Sequence, residues 1–230
     1  MMIDVQNVWK RYPGAWALRG VSFQVERGRV QGVLGENGSG KSTLFRILAG
    51  LTRPSRGSAE VMGQEVSVKT RQHVAYLAEI NPFYDWMKVM EQVEFLARFY
   101  PMWDMDKSRE LLSFMGLDGD KKVGALSRGQ QGRLKVVCAF SWPSDLVLMD
   151  EPLSGIDPPS RKRIVEALFS EFRFGEQTIL ISTHLVHEVG EFIEDVMFMK
   201  EGEIALSGNA DALREERGES LSEMFEMVAM

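Results

Sequence analysis

A glycine-rich segment between a strand pattern and a helix pattern constrains this chain more than any other feature. Residues 35–42 read Gly-Glu-Asn-Gly-Ser-Gly-Lys-Ser and fit G-x-x-x-x-G-K-[ST] without a gap. An apolar run at residues 30–34 precedes the segment, and apolar residues at helical spacing follow it until Gly50. In this order, successive backbone N–H groups curl around an anion at the positive end of the helix. The segment therefore predicts a phosphate loop.

Within this loop, two side chains are expected to do the chemical work on a nucleoside triphosphate. Lys41 is expected to reach the β- and γ-phosphates, and the Ser42 hydroxyl to take a coordination position on Mg²⁺. The other predicted contacts to the nucleotide are Gly35, Glu36, Asn37, Gly38, Ser39, Gly40 and Thr43. A bland glycine turn before a helix is the alternative, and the position between strand and helix disfavours it.

Two adjacent carboxylates complement the loop. Asp150 and Glu151 follow the apolar strand pattern of residues 146–149. Asp150 is expected to hold Mg²⁺ as the acidic partner of Ser42, and Glu151 to polarise a water that attacks the γ-phosphate. An Asp-Glu pair at a strand end is often only a solvated turn, so this prediction depends on the glycine loop. Together the two motifs predict binding and hydrolysis of a nucleoside triphosphate.

Composition excludes several other classes. There are 27 Lys and Arg against 33 Asp and Glu, a net charge of −6, which disfavours a large nucleic-acid surface. Cys138 is the only cysteine, so an intramolecular disulfide is excluded. The apolar runs reach only about five residues where ~20 are needed to cross a bilayer, and the first residues lack a signal-peptide pattern. We expect a soluble, cytoplasmic chain.

The periodicity of apolar residues predicts how the chain is organised. Residues 3–25 alternate like strands around a turn, whereas three helix patterns fill residues 86–142. The pattern predicts an α/β core of residues 1–85 and 143–208 that is split by a helical insertion at 86–142. Residues 209–230 are expected to form a helical tail.

A second anion site is predicted at residues 126–130, Leu-Ser-Arg-Gly-Gln, which open a helix pattern. A serine, a glycine N–H and a helix N-terminus can bind a phosphate, although a plain serine helix cap is the alternative. The segment resembles the Leu-Ser-Gly-Gly-Gln signature of the ATP-binding cassette (ABC) family, with Arg128 at the first glycine position. The resemblance implies that Ser127, Gly129 and Gln130 contact the nucleotide.

Further matches to this family follow in its order along the chain. Asp157, in Ser-Gly-Ile-Asp at residues 154–157, resembles the family's D-loop. His184 resembles the switch histidine that contacts the γ-phosphate, although a lone histidine is more often structural. Glu79 stands where the family usually has a glutamine that binds Mg²⁺, and a surface glutamate is the alternative.

An aromatic residue near the N-terminus completes the predicted site. Tyr12 resembles the aromatic residue that stacks on adenine in the family, and Trp9 and Trp16 are the alternatives. The resemblance spans residues 3–208 and implies one ABC ATPase domain with a P-loop NTPase core, an antiparallel β subdomain and a helical insertion. It implies ATP and Mg²⁺ as ligands.

The resemblance also implies partners. ATP is expected to lie between two such subunits, in a homodimer or a heterodimer with a second ABC ATPase subunit. Transmembrane permease subunits are expected as separate chains, with this subunit bound peripherally on the inner face of the cell membrane. The apolar and aromatic segment of residues 83–87 is predicted to bind them. With Glu79, Arg128 and the segment Phe-Tyr-Pro-Met-Trp-Asp at residues 99–104, the chain most resembles the ATPase subunits of bacterial ABC-2-type exporters, including YtrB-like members. A soluble ABC ATPase acting on nucleic acid or ribosomes, or a regulatory cassette without hydrolysis, is the alternative.

Overall fold

The computed structural model describes residues 1–173 and 175–229, which form two compact units. Unit 1 consists of residues 1–76, 145–151 and 173–230, and unit 2 of residues 77–144 and 152–172. The helical unit therefore starts at residue 77, and it also takes residues 152–172, which the apolar pattern placed in the core.

An antiparallel sheet in unit 1 contains the strand pattern predicted at the N-terminus. Ile3, Val5 and Val8 alternate inward because successive side chains of a strand point to opposite faces. Gly14 has a φ of 89° and lies in the turn that joins the first two strands. The sheet has the order β2-β1-β4-β5. Its strands are β1 (Ile3–Tyr12), β2 (Ala15–Val25), β4 (Arg56–Val61) and β5 (Gln64–Glu65).

A second sheet of six strands is mostly parallel and has the order β10-β9-β3-β8-β7-β6. The pairs β3–β8, β3–β9 and β7–β8 are parallel, and β9–β10 is antiparallel. Because the central strands are buried on both faces, apolar residues predominate in them, and the buried polar residues Ser182 and Asp150 lie at or near the strand ends. The strands are β3 (Val30–Gly35), β6 (Val74–Leu77), β7 (Leu146–Asp150), β8 (Thr178–Thr183), β9 (Asp195–Lys200) and β10 (Glu203–Asn209).

The helices of unit 1 pack on these sheets. Leu44, Phe45 and Leu48 of the first helix are buried in one core with strand residues of both sheets. That helix ends at Leu48, two residues before Gly50, whose φ of 68° stops it as the sequence predicts. The helices are α1 (Lys41–Leu48), α2 (Val68–Arg71), α7 (Val186–Val189), α8 (Ala210–Arg217) and α9 (Leu221–Ala229).

Unit 2 is built from helices α3 (Val89–Ala97), α4 (Met105–Phe114), α5 (Arg128–Phe140) and α6 (Pro158–Glu171). The apolar stripe of the first of these continues to Tyr100, but α3 ends at Ala97. Cys138 on α5 is buried, and that burial raises the pKa of its thiol. A buried thiol stays protonated and is therefore unreactive.

A close approach of two helices explains why α6 belongs to unit 2. A Cβ at Gly129 of α5 would lie 2.5 Å from Asp157 Oδ1 and 2.6 Å from Ser160 Oγ at the start of α6. Gly132, one turn further, is packed against Ile156. Only a residue without a side chain permits this contact, since real Cβ atoms do not approach other heavy atoms so closely.

Candidate nucleotide site

The phosphate loop runs from the end of β3 to the start of α1, as the glycine spacing predicts. Gly40 adopts a φ of 106°, and a Cβ there would lie 2.5 Å from the Ala17 carbonyl oxygen of β2. The position therefore requires glycine for its backbone conformation and for its distance to the neighbouring strand. The loop is thereby fixed against the antiparallel sheet at the positive end of α1.

Lys41 lies beneath the loop and is almost fully buried. Its ammonium group donates hydrogen bonds to the carbonyl oxygens of Gly35, at 2.7 Å, and Glu36, at 3.0 Å. It also lies 3.2 Å from Glu151 Oε1. Glu151 Oε1 forms an ion pair with Lys41 but accepts no hydrogen bond from the described residues. An anion that binds to the Lys41 ammonium group therefore has to replace its contacts with these oxygens.

Asp150 ends β7 and is completely buried, with 0% of its surface exposed. Its Oδ1 accepts hydrogen bonds from Ser42 Oγ at 3.0 Å and from Ser182 Oγ at 2.9 Å. Its Oδ2 accepts one from the Tyr76 hydroxyl at 3.2 Å. The structure thus brings Ser42 and Asp150 together, as the two motifs predict.

Tyr76 and Ser182 are site residues that the sequence did not indicate. Burial, and then the charge of Asp150, raise the pKa of Tyr76 above its ordinary value, so the phenol stays protonated and donates. Ser182 lies opposite Asp150 in the parallel register of β7 and β8. The available signal for Ser182 was its position two residues before His184 at the end of a strand pattern.

Glu151 follows Asp150 in a left-handed backbone conformation, with φ of 49°. This region costs a residue with a side chain about 1–3 kcal/mol and recurs at functional sites. The Ser182 carbonyl oxygen and hydroxyl both accept from the Glu151 N–H, at 3.1 and 3.0 Å. The Glu151 Oε2 lies 2.8 Å from His184 Nδ1. The two predicted catalytic residues are therefore in direct contact.

Tyr12 lies at the tip of the β1–β2 hairpin with 39% of its surface exposed. The ammonium group of Lys10 lies 5.2 Å from the centre of its ring. Trp9 and Trp16 contact each other edge to face at 5.4 Å, and both are only partly exposed. Of the three aromatic candidates, Tyr12 has the more open ring.

A cavity of about 350 Å³ lies behind the phosphate loop. Residues 34–39 form one wall, and Phe225, Val228 and Ala229 of α9 form another. Ser39 Oγ in this segment is buried and has no hydrogen-bond partner among the described residues. The C-terminal helix therefore borders the phosphate loop.

The signature residues 126–130 lie in unit 2 at the start of α5. Ser127 Oγ accepts from the Gln130 N–H at 3.2 Å, and Gln130 Oε1 accepts from the Ser127 N–H at 3.0 Å. This is a capping box, so Ser127 is a helix cap whatever else it contacts. Asp157 and Ser160 occupy the space that a side chain at residue 129 would need, so the glycine allows α5 to pack closely on α6.

Asp157 and Glu79 also belong to unit 2. Asp157 Oδ2 accepts from the Ser160 N–H at 3.0 Å and caps α6. That hydrogen bond is the main reason why the pKa of Asp157 lies below its ordinary value. Glu79 has an exposed side chain, and its backbone carbonyl oxygen accepts from Lys135 Nζ at 2.7 Å.

The donor set around Asp150 fits Mg²⁺. A buried carboxylate and a serine hydroxyl are hard oxygen ligands, and the carboxylate is bound only by hydroxyl groups, without a cationic partner among the contacts described above. Within residues 1–173 and 175–229 no group of three or more His, Cys, Asp or Glu side chains is arranged for a metal. Mg²⁺ commonly binds through one or two protein oxygens together with the phosphates of a substrate.

A sequence model of the ABC transporter family matches residues 18–154, more than half of the chain. The chain belongs to the ABC transporter family. It is an ATP-binding cassette with the α/β fold that the resemblance predicts, and an ATPase by its class. The prediction of the family, its fold and its enzyme class is confirmed.

Curated relatives agree with this membership. The ABC transporter ATP-binding protein YtrB of Bacillus subtilis (strain 168) is 30% identical over 217 residues, covering 94% of this chain and 74% of YtrB. The Nod factor export ATP-binding protein I of Burkholderia lata is 33% identical over 221 residues, covering 93% of this chain and 72% of that protein. The relatives support an ATP-binding subunit and leave its subfamily a prediction.

Solved structures show the same fold. The structure of an ATP-binding subunit of an ABC transporter covers 100% of both chains with a TM-score of 0.87 and 25% identity. A dimeric post-hydrolysis cassette, MJ0796 bound to ADP and Pi, covers 90% of this chain with a TM-score of 0.81 and 23% identity. In this cassette, no helix of the described residues has the length and apolar character to span a bilayer.

Proposed function

We propose that this cassette binds and hydrolyses ATP as the motor subunit of a membrane exporter. The observation that carries the proposal is the buried cluster in which Ser42 contacts Asp150 while Lys41 and His184 contact Glu151. The names of the relatives support the transporter role, since YtrB and the Nod factor protein are both transporter ATP-binding proteins. Their names place them with membrane transport, so we propose a location on the inner face of the cell membrane.

Nucleotide binding starts with an exchange of partners at Lys41. Its ammonium group leaves the carbonyl oxygens of Gly35 and Glu36 for the β- and γ-phosphates, while loop N–H groups surround the phosphates. Tyr12 is proposed to stack on the adenine ring. The same movement of Lys41 frees Glu151 Oε1, to which its ammonium group now lies at 3.2 Å.

Glu151 is proposed as the general base of hydrolysis. Its free oxygen accepts the proton of the attacking water, while its other oxygen stays at His184. Because Glu151 is almost fully buried, the carboxylate acts in a site from which bulk water is largely excluded. His184 keeps the carboxylate oriented and is proposed to contact the γ-phosphate through its other ring nitrogen.

Ser42 and Asp150 are proposed to hold Mg²⁺, with Glu79 as a further ligand. The ion supplies charge neutralisation at the β- and γ-phosphates when bound. The Ser42 hydroxyl can point its proton at Asp150 and still present a lone pair outward. Ser42 can therefore offer a lone pair to the ion while it keeps its hydrogen bond to Asp150.

A second cassette is proposed to complete the site. Each nucleotide would lie between the phosphate loop of one subunit and Ser127, Gly129, Gln130 and Asp157 of the other. In the capping box the Ser127 hydroxyl and the first N–H groups of α5 lie at an exposed helix start, where an anion is favoured. The dimeric form of the solved cassette MJ0796 supports this arrangement by analogy of fold.

Permease subunits are proposed to bind the apolar and aromatic segment of residues 83–87. Trp86 is 66% exposed and contacts the ring of Tyr84 at 5.9 Å, which contacts Phe95 at 5.7 Å. Such a cluster of exposed rings is typical of a protein interface. The substitution Trp86→Asp is expected to abolish retention of the permease while leaving the ATP site of unit 1 folded.

The decisive experiment is purification from the native host. A tagged Glu151→Gln variant, isolated with ATP from solubilised membranes, is expected to retain a polytopic membrane protein in stoichiometric yield. A second, related cassette in the complex would show a heterodimer. Ribosomes or DNA without a membrane partner would contradict the exporter role and leave the ATP site untouched.

A further inference from the structure

Three hydroxyl groups from three different elements converge on the carboxylate of Asp150. They belong to Ser42 at the start of α1, Tyr76 on β6 and Ser182 on β8, and we call them the hydroxyl cluster. Only Ser42 belongs to the motifs from which the ATP site is derived. Tyr76 and Ser182 also contact Asp150, and the motifs give neither of them a role.

The sheet order explains why these groups meet. Strands β8, β7 and β6 are neighbours, although they are far apart along the chain. Asp150 is paired in register with Ser182 across β7 and β8, and Tyr76 lies on the other side of β7. Residues at the carboxyl ends of neighbouring strands of such a sheet meet at one edge, where ligands bind.

The hydrogen bonds to both oxygens fix the orientation of the Asp150 carboxylate. Oδ1 accepts from Ser42 and Ser182, at 3.0 and 2.9 Å, and Oδ2 accepts from Tyr76 at 3.2 Å. A rotation about the last side-chain bond of Asp150 would break these hydrogen bonds. Because the residue is fully buried, water cannot replace the lost donors. The orientation of Asp150 in turn fixes the Ser42 hydroxyl that it binds.

We propose that Tyr76 and Ser182 are positioning residues that set the affinity of the ATP site for Mg²⁺. They act through Asp150 and do not contact the ion themselves. Hydrogen-bond partners of a metal ligand commonly change metal affinity by about 10–100-fold when they are removed. This inference rests on the proposed role of Ser42 and Asp150 as Mg²⁺ ligands.

The test is an Mg²⁺ titration of nucleotide binding with the purified full chain. Binding of a fluorescent, slowly hydrolysed ATP analogue is recorded against Mg²⁺ concentration, and once more in the presence of EDTA. For Tyr76→Phe and for Ser182→Ala we expect the Mg²⁺ midpoint to rise about tenfold. Metal-free affinity for the analogue is expected to change less than about twofold, because Lys41 and the loop are untouched.

Two variants in unit 2 serve as matched controls. Tyr100→Phe removes a half-buried phenol whose ring stacks on Trp142, and Ser141→Ala removes a buried hydroxyl that donates to the Val137 carbonyl oxygen. Both are expected to leave the Mg²⁺ midpoint unchanged. They show how much the loss of a hydroxyl group changes the Mg²⁺ midpoint merely by destabilising the fold.

An unchanged Mg²⁺ midpoint in Tyr76→Phe would overturn the proposal, as would equal losses of affinity with and without the metal. Tyr76→Phe decides the question even where Ser182→Ala does not fold, because it removes one atom from a half-buried side chain. Absence of nucleotide binding in the unsubstituted chain would instead contradict the proposed function.

Discussion

The phosphate site of unit 1 and the signature end of unit 2 use polar side chains in different ways. At the phosphate site Asp150 and Glu151 are buried, and their partners Ser182 and His184 lie 32 and 33 residues further along the chain. At the signature end, Ser127 is exposed and its hydrogen bonds join it to Gln130, three residues away. The contacts at the phosphate site depend on the pairing of distant strands in the sheet, whereas those at the signature end form within one helical turn.

This difference indicates which substitutions act on chemistry and which act on folding. A buried carboxylate with distant partners is oriented only while the sheet is intact, and its charge is little screened by water. A local helix cap forms with its own helix and can present the same groups to a ligand from outside. We therefore expect loss of turnover from changes in unit 1, and loss of packing from changes at the α5–α6 contact.

The largest effect is expected for Glu151→Gln. The amide keeps the shape of the side chain but cannot accept a proton, so ATP turnover should fall by about 10²–10⁴-fold while ATP binding persists. Steady-state phosphate release and equilibrium nucleotide binding measure the two quantities. Glu191→Gln, at an exposed position, is the control and should turn over normally. Full activity of Glu151→Gln would remove Glu151 from the role of base.

A second prediction concerns the C-terminal helix behind the phosphate loop. Met224 is 0% exposed, whereas Met227 on the same helix is 46% exposed. Met224→Ala should lower the free energy of unfolding by about 2–5 kcal/mol, because it leaves a cavity in the core. Met227→Ala should change it by less than about 0.5 kcal/mol. Urea unfolding compares them, and equal values would show that α9 does not pack as described.

The contact between α5 and α6 gives a smaller effect. Gly129→Ala places a Cβ 2.5 Å from Asp157 Oδ1 and 2.9 Å from Ser160 Cβ. Because a Cβ cannot rotate away, α6 has to shift, at a cost of about 1–3 kcal/mol in the free energy of unfolding. Gly119→Ala is the control, because its Cβ would lie 3.5 Å from Met90, an ordinary contact. If both glycine variants were equally stable, the close approach would not exist in solution.

The smallest predicted effect is a pH dependence at Asp157. The Ser160 N–H lowers the pKa of this carboxyl below its ordinary 3.8, so its ionised form favours the folded state. That contribution is fully present above the ordinary pKa and is lost as pH falls through the lower, folded-state value. The stability difference between the unsubstituted chain and Asp157→Asn should therefore stay constant above about pH 5 and change as the pH falls below that value, through the ordinary 3.8. Thermal unfolding between pH 3 and about pH 6 measures it, and a difference that changes near neutral pH would contradict this origin.

Much of the fold around the phosphate loop was predictable because its signals are local. The glycines of residues 35–40 and the helical spacing after Lys41 predict loop and helix directly, and both are confirmed. Strand β4, with the sequence RGSAEV, was not identified because only Ala59 and Val61 are buried in it. A strand with so little apolar surface has no period-2 signal.

The motifs predict Ser42 as a partner of Asp150, but no local pattern predicts Tyr76. Tyr76 precedes Asp150 by 74 residues, and the two meet because β6 lies beside β7 in an order that the chain sequence does not specify. The same holds for α6, which packs on α5 through Gly129 and Gly132. From the sequence alone, glycines within a helix pattern indicate only a less stable helix, because the helix that packs against them is not known.

The central claim is that the buried cluster around Lys41, Asp150 and Glu151 is an ATP site. Calorimetric titration of the purified chain with ATP and Mg²⁺, for the unsubstituted chain and for Lys41→Ala, tests it most directly. Loss of two charge-assisted hydrogen bonds to phosphate should weaken binding by about 100-fold. Equal affinities of the two proteins would contradict the claim, because the nucleotide would then bind elsewhere.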